Sequence, residues 1–161
     1  MKKQSNFIGI DHLAIAVPDI NMAVNWLRDI LGFNVEETRE TQGKHSGMKS
    51  AVLRLGPITL VVTEGIGETS QTSQYVKKYG PGIQHIAFGV RNIESAIEDA
   101  RLRGLKFSSD LIASDGLSQI FSLRDGSTGM MIELIERNNF NGFRDENVQK
   151  LFDTLESKDI C

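Results

Sequence analysis

Residues 9–24, GIDHLAIAVPDINMAV, and residues 82–97, GIQHIAFGVRNIESAI, decide how this chain folds. Set side by side at an offset of 73 residues and without a gap, they share Gly, Ile, His, Ala, Val, Ile and Ala in the same places. Each copy is a strand-like run followed by a helical pattern. In the first, Asp19 caps a helix whose apolar positions Ile20, Ala23, Val24, Leu27, Ile30 and Leu31 recur at helical spacing, and Gly32 closes it. In the second, Asn92 caps, Ile93, Ala96, Ile97 and Ala100 form the stripe, and Gly104 closes.

Strand patterns follow each helix. The first half offers Phe33–Arg39, Lys49–Leu55 and Ile58–Thr63; the second offers Leu105–Ser109, Ser118–Leu123 and Met130–Glu136. Each half is therefore β-α-β-β-β, about residues 7–65 and 82–137. Two copies are too few for a solenoid and must pack on each other. The expected fold is α+β: two βαβββ repeats forming one concave, barrel-like mixed sheet with helices outside. A linker helix is expected at about 70–80, around Thr72–Lys78. A final amphipathic helix, about 145–157, carries Val148, Leu151, Phe152 and Leu155 on one stripe that should close over something.

Bulk properties narrow the function classes. The chain's 161 residues fit one domain, 1–161, able to build a core without staples. A net charge of −3 and no basic run longer than a pair such as Lys77-Lys78 exclude a nucleic-acid surface. The single cysteine, Cys161, excludes an internal disulfide and Cys-based zinc motifs, and points to a reducing cytoplasm. No stretch has the ~20 apolar residues of a membrane span, and MKKQSN has no apolar run fit for a signal peptide.

Strand alternation places His12 on a face with Ile10, Ala14 and Ala16, and His85 on a face with Ile83, Ala87 and Gly89. Small neighbours leave room above each imidazole. Glu133 interrupts the otherwise apolar run MMIELI; a lone carboxylate there is costly unless it is paired, with Arg137 for instance, or binds a metal. The same offset carries Glu133 back to Leu60, so the pseudosymmetric site lacks a fourth ligand. Two histidines and one carboxylate with open positions are the arrangement of non-haem Fe(II) oxygenases. Taken singly, either histidine reads as an ordinary core or surface residue; the joint pattern favours a metal. His45, in TQGKHSG, reads as a solvated loop residue.

With these residues in view, the sequence resembles the vicinal-oxygen-chelate superfamily, and most closely the catalytic C-terminal half of 4-hydroxyphenylpyruvate dioxygenases. GIDHLAIAV, GIQHIAF and MIELIER resemble the ligand-bearing strands, and NGFRDENVQKLFDTLE resembles that family's closing helix. The resemblance implies His12, His85 and Glu133 as iron ligands. It implies Ser50, Gln71, Gln84, Gln119, Phe121, Phe143 and Asn147 as residues lining the substrate pocket, with the glutamines orienting the substrate tail. Val148 stands where the family has an aromatic residue, Thr63 stands where it has an amide, and the segment from Leu105 to Gln119 is shorter. The implied activity is Fe(II)- and O2-dependent oxidative decarboxylation of a 2-oxo acid with hydroxylation of the same molecule, in a cytoplasmic homodimer with no membrane or nucleic-acid partner. The rivals are an isomerase or epimerase on the same scaffold, disfavoured because Ser46–Leu55 contains no acid to act as base, an extradiol dioxygenase, which needs a further histidine, and a metal-free protein that sequesters small molecules.

Overall fold

The computed structural model describes residues 5–158; Cys161 and residues 1–4 lie outside them. The chain runs β1 (Phe7–Ala16), α1 (Ile20–Leu31), β2 (Asn34–Gln42), β3 (Gly47–Leu55), β4 (Ile58–Ile66), α2 (Gln71–Tyr79) and β5 (Gly82–Val90). It continues with α3 (Ile93–Leu102), β6 (Ile112–Ser114), β7 (Leu117–Phe121), β8 (Met131–Arg137) and α4 (Asp145–Lys158). The strands make one curled, mixed sheet in the order β2-β3-β4-β1-β5-β8-β7-β6. The two repeats meet where β1 runs antiparallel to β5.

The caps form as their residue types require. Asp19 accepts from the Met22 amide, Asn92 accepts from the Ser95 amide at 2.8 Å, and Gly32 closes α1 in the left-handed region at φ 81°. Each repeat adds a second device: Glu64 accepts from the Ile20 amide at 2.8 Å, and Glu136 from the Ile93 amide at 2.6 Å. A carboxylate at the end of a neighbouring strand thus satisfies an orphan first-turn donor and faces the positive end of the helix.

Alternation sorts the sheet into two faces. The convex face buries Leu53, Leu60 and Val62 against Ile20 and Leu27 of α1. In the second repeat it buries Val90, Ile120 and Leu134 against Ile93, Ala96 and Ile97 of α3. The concave face carries the buried polar side chains His12, Ser50, Thr63, Gln119 and Glu133.

Two expectations need correction. Leu105–Ser109 is no strand: it makes only an isolated bridge, Phe107 to Ser122, and the sheet edge is β6. The serines are the reason. Ser108 donates its hydroxyl to the Phe121 and Ser122 carbonyls, and Ser109 accepts from the Phe121 amide, so side chains supplement the few backbone bonds that join this segment to Phe121–Leu123. The second correction concerns Leu60. β1 pairs Ala14 with Val61, and β5 pairs Ala87 with Glu133, so the repeat partner of Glu133 is Val61. The offset has slipped from 73 to 72 by β4 and β8, as the capping pair Glu64 and Glu136 also shows. Leu60 faces the convex core.

Candidate metal centre

His12, His85 and Glu133 converge, with one ligand atom from each lying within 4.8 Å of the others. Glu133 Oε2 sits 3.1 Å from His12 Nε2 and 3.2 Å from His85 Nε2. The strands dictate this. Glu133 is flanked by Ala87 on β5 and Phe121 on β7, and His85 is opposite Ala14 on β1. Ala14 and Ala87 are buried and small, which leaves the three polar groups their space. Glu133 is 1% exposed, and its Oε2 has no hydrogen bond of good geometry. An orphaned carboxylate oxygen between two imidazole nitrogens is a donor set that fits a divalent cation.

A β-bulge precedes each histidine. On β1 the extra residue lies between Ile10 and His12; on β5 it lies between Ile83 and His85. The bulged residues are Asp11 and Gln84, repeat partners of each other. Strict alternation would turn both away from the histidines' face, but a bulge re-aims side chains. Asp11 Oδ1 lies 2.8 Å from His12 Nδ1, and Gln84 joins the pocket wall. The same bulges leave Ile10 and Ile83 exposed, so neither shares the buried wall expected from the period of two.

With Asp11 accepting from Nδ1, His12 presents Nε2 to Glu133. Burial pulls the His12 imidazole down, but Glu133 and Asp11 outweigh it and hold the group up at about 9. Burial lowers His85 further than Glu133 raises it. Burial pushes Glu133 up, and the two histidines outweigh it and keep the carboxyl well below its ordinary value. Asp11 is likewise raised by burial but lowered overall by His12 and Arg137. Arg137 therefore pairs with Asp11, not with Glu133.

A relay steadies the carboxylate. Gln119 Nε2 donates to Glu133 Oε1 at 2.8 Å, and Asn147 Nδ2 of α4 donates to Gln119 Oε1 at 3.0 Å. Phe121 stands edge-on to His85 at 5.4 Å, and Phe143 stands edge-on to His12 at 5.0 Å. Of the other residues expected in the pocket, Ser50, Gln71 and Gln84 line it, and Val148 lines it from α4. The Gln71 side-chain amide nitrogen is buried and unpartnered there. His45 is exposed, and its backbone amide donates to Glu156 of α4. It does not line the pocket, so the extra histidine of an extradiol site is missing.

Sequence reasoning missed Asp11, Arg39 and the apolar wall of Met48, Val52 and Val61, and offered Arg137 a different partner. Arg39 reaches across to the closing segment, donating to the Phe143 carbonyl at 3.0 Å and to Asp145 at 2.6 Å. A basic residue in a polar edge strand carries no signal of that reach. The cavity is about 90 Å³. Helix α4 lines it through Asn147, Val148, Leu151, Phe152 and Leu155.

This curled sheet of paired βαβββ units, with its donors on the concave face, defines a superfamily scaffold. Residues 11–121 match the family model of the Glyoxalase/Bleomycin resistance protein/Dioxygenase superfamily, and the chain belongs to that family. More particularly, it is 27% identical to 4-hydroxyphenylpyruvate dioxygenase of Pseudomonas aeruginosa over 94% of this chain and 52% of that protein. It is also 27% identical to the mitochondrial methylmalonyl-CoA epimerase of Mus musculus, over 78% of this chain and 71% of that protein. A mutant 4-hydroxymandelate synthase from Streptomyces coelicolor superposes with a TM-score of 0.85 at 20% identity, covering 99% of this chain and 56% of that one, which shows the shared fold. The chain thus spans about half the length of the dioxygenase and of the synthase. No helix among the described residues is long and apolar enough to cross a membrane.

Proposed function

We propose that the protein is a non-haem Fe(II)-dependent dioxygenase acting on a 2-oxo acid, with His12, His85 and Glu133 holding the metal. The observation that carries this reading is that Glu133, the carboxylate facing both histidines, is the only acidic side chain lining the pocket among the described residues. A metal-assisted proton shuttle of the epimerase kind needs a further base beside the substrate. On β3 the pocket wall instead offers Met48, Ser50 and Val52. Similarity to the dioxygenase also runs further along the chain than similarity to the epimerase, 94% against 78%.

Fe(II) bound there would supply the redox chemistry, using O2 to decarboxylate the chelated 2-oxo acid oxidatively and to hydroxylate the same molecule. The atoms balance within one substrate. Carbon dioxide leaves, one oxygen atom completes the new carboxylate and the other becomes the hydroxyl. The chain itself binds, orients and shields. Asp11 fixes the His12 tautomer, and Gln119 with Asn147 holds Glu133 so that Oε2 faces the metal position. Phe121 and Phe143 cover the imidazoles and keep water from them. Gln71 and Gln84 offer neutral polar contacts to the substrate, and the aliphatic wall receives its tail. Substrate-dependent O2 uptake matched one-to-one by CO2 release tests the reading; a panel of aryl and branched-chain 2-oxo acids showing neither would overturn it.

The epimerase relatives favour one alternative, metal-dependent isomerisation. It predicts solvent deuterium entering an acidic C–H position without O2 uptake, and the two outcomes separate in a single deuterated reaction mixture.

A further inference from the structure

The bulged Asp11 does more than touch His12. Its two oxygens take a fork from Arg137, with Nε to Oδ2 at 2.7 Å and Nη2 to Oδ1 at 3.0 Å. The remaining nitrogen, Nη1, donates to the Gly142 carbonyl at 2.6 Å and to the Phe140 carbonyl at 3.3 Å. The guanidinium also lies over the Phe143 ring, 5.1 Å from its centroid, and the edge-on contact of that ring with His12 closes a loop of contacts. One planar group therefore holds the carboxylate behind a candidate metal ligand and the strap, residues 140–144, that leads into α4.

We propose that Arg137 is a positioning residue that couples metal binding at His12 to the docking of α4 over the pocket, an inference that rests on the reading of His12, His85 and Glu133 as a metal centre. A bidentate fork fixes the rotation of the Asp11 carboxylate. The carboxylate sets the plane and tautomer of the His12 ring, as partners behind metal-bound histidines do. The same guanidinium spends its third nitrogen on two strap carbonyls, so it is best satisfied when ring, carboxylate and strap are all in place. By linkage, whatever metal binding contributes to ordering this array, strap docking returns as metal affinity. Arg39 also holds the strap, through the Phe143 carbonyl and Asp145. It has no bond to Asp11 and lies outside the coupling.

The test uses Co(II), titrated anaerobically by its visible absorption, together with amide hydrogen exchange across residues 140–155 with and without the ion. In the unmodified protein Co(II) should slow exchange in the strap and in α4. Arg137→Gln should weaken Co(II) binding about 10- to 100-fold, the range for groups behind a metal ligand. It should also abolish the metal-dependent protection when the ion is saturating. Asp11→Asn should weaken binding while leaving exchange in the metal-free strap close to that of the unmodified protein, because the bonds from Nη1 to the carbonyls survive. Arg137→Lys keeps the charge without the fork and should fall between, which supplies a folded variant if the glutamine substitution unfolds the protein. Co(II) affinity in both Arg137→Gln and Arg137→Lys equal to that of the unmodified protein, or α4 exchange that ignores the ion in the unmodified protein, would overturn the coupling and leave the metal centre standing. Failure of the unmodified protein to bind Co(II) would overturn the metal centre and the coupling together.

Discussion

Glu133 illustrates what a single residue imposes. A carboxylate 1% exposed in a strand is expensive unless other groups compensate it, and two imidazoles and one amide do so here. Glu133→Gln removes the negative charge while keeping the shape. It should lower divalent-metal affinity at least about a hundredfold, exceeding the loss seen for groups behind a ligand, as read by isothermal titration with Co(II). A variant that binds the ion as tightly would place the ligand elsewhere. His12 supplies a second test. Its pKa is raised to about 9 in the folded protein, above the ordinary 6.5. In metal-free protein, the stability it contributes is therefore complete below pH 6.5 and is lost as the pH rises through about 9. A metal ion must displace that proton, so binding should release close to one proton at pH 7.5 and weaken as the pH falls. Titration in two buffers of different ionisation enthalpy measures the release; no difference between the buffers would contradict the assignment.

Elements show where the sequence is readable and where it is not. Helices α1, α3 and α4, and the strands bearing the histidines, follow from periodicity, caps and the internal repeat. The two bulges do not, because Asp11 and Gln84 look like ordinary polar residues on the far side of an alternating strand. The resemblance alone points to Gln84 as a pocket residue, and only the observed register puts Asp11 beside His12. The slip of the repeat offset is hidden for a similar reason. Leu60 and Val61 are both apolar, so nothing in their chemistry says which one faces the pocket. The shortest strand, β6, escapes notice because three residues are too few for a pattern. Closure by α4 is legible from its stripe, but its fastening is not. Glu156 accepts from the Lys44 and His45 amides and from the Ser46 hydroxyl. Gly43 is needed beneath it, since a Cβ there would come within 2.5 Å of Phe152. Glu156→Ala should raise hydrogen exchange across α4 several-fold. Unchanged exchange would mean that the apolar stripe alone holds the helix.

At the scale of the molecule, one curled sheet brings donors from both repeats to a single concave floor, and one terminal helix roofs it. The family scaffold alone does not settle the reaction, because relatives on it include a dioxygenase and an epimerase. What separates the readings is the contents of the pocket: three ligand candidates, neutral amides and an aliphatic wall. The wall makes its own prediction. Leu151→Ala enlarges the cavity and should raise the affinity for aryl 2-oxo acids relative to short alkyl ones, measured by competition on the metal-loaded protein. No change in relative affinity would remove Leu151 from the substrate's path. On the proposed function, His12, His85 and Glu133 would hold Fe(II), and a 2-oxo acid would bind to it. The most direct measurement is the visible spectrum of the anaerobic Fe(II) protein as a 2-oxo acid is added. A metal-to-ligand charge-transfer band that saturates at one substrate per iron, and is absent in Glu133→Gln, is the predicted result. Tightly bound iron whose spectrum ignores every 2-oxo acid would contradict it.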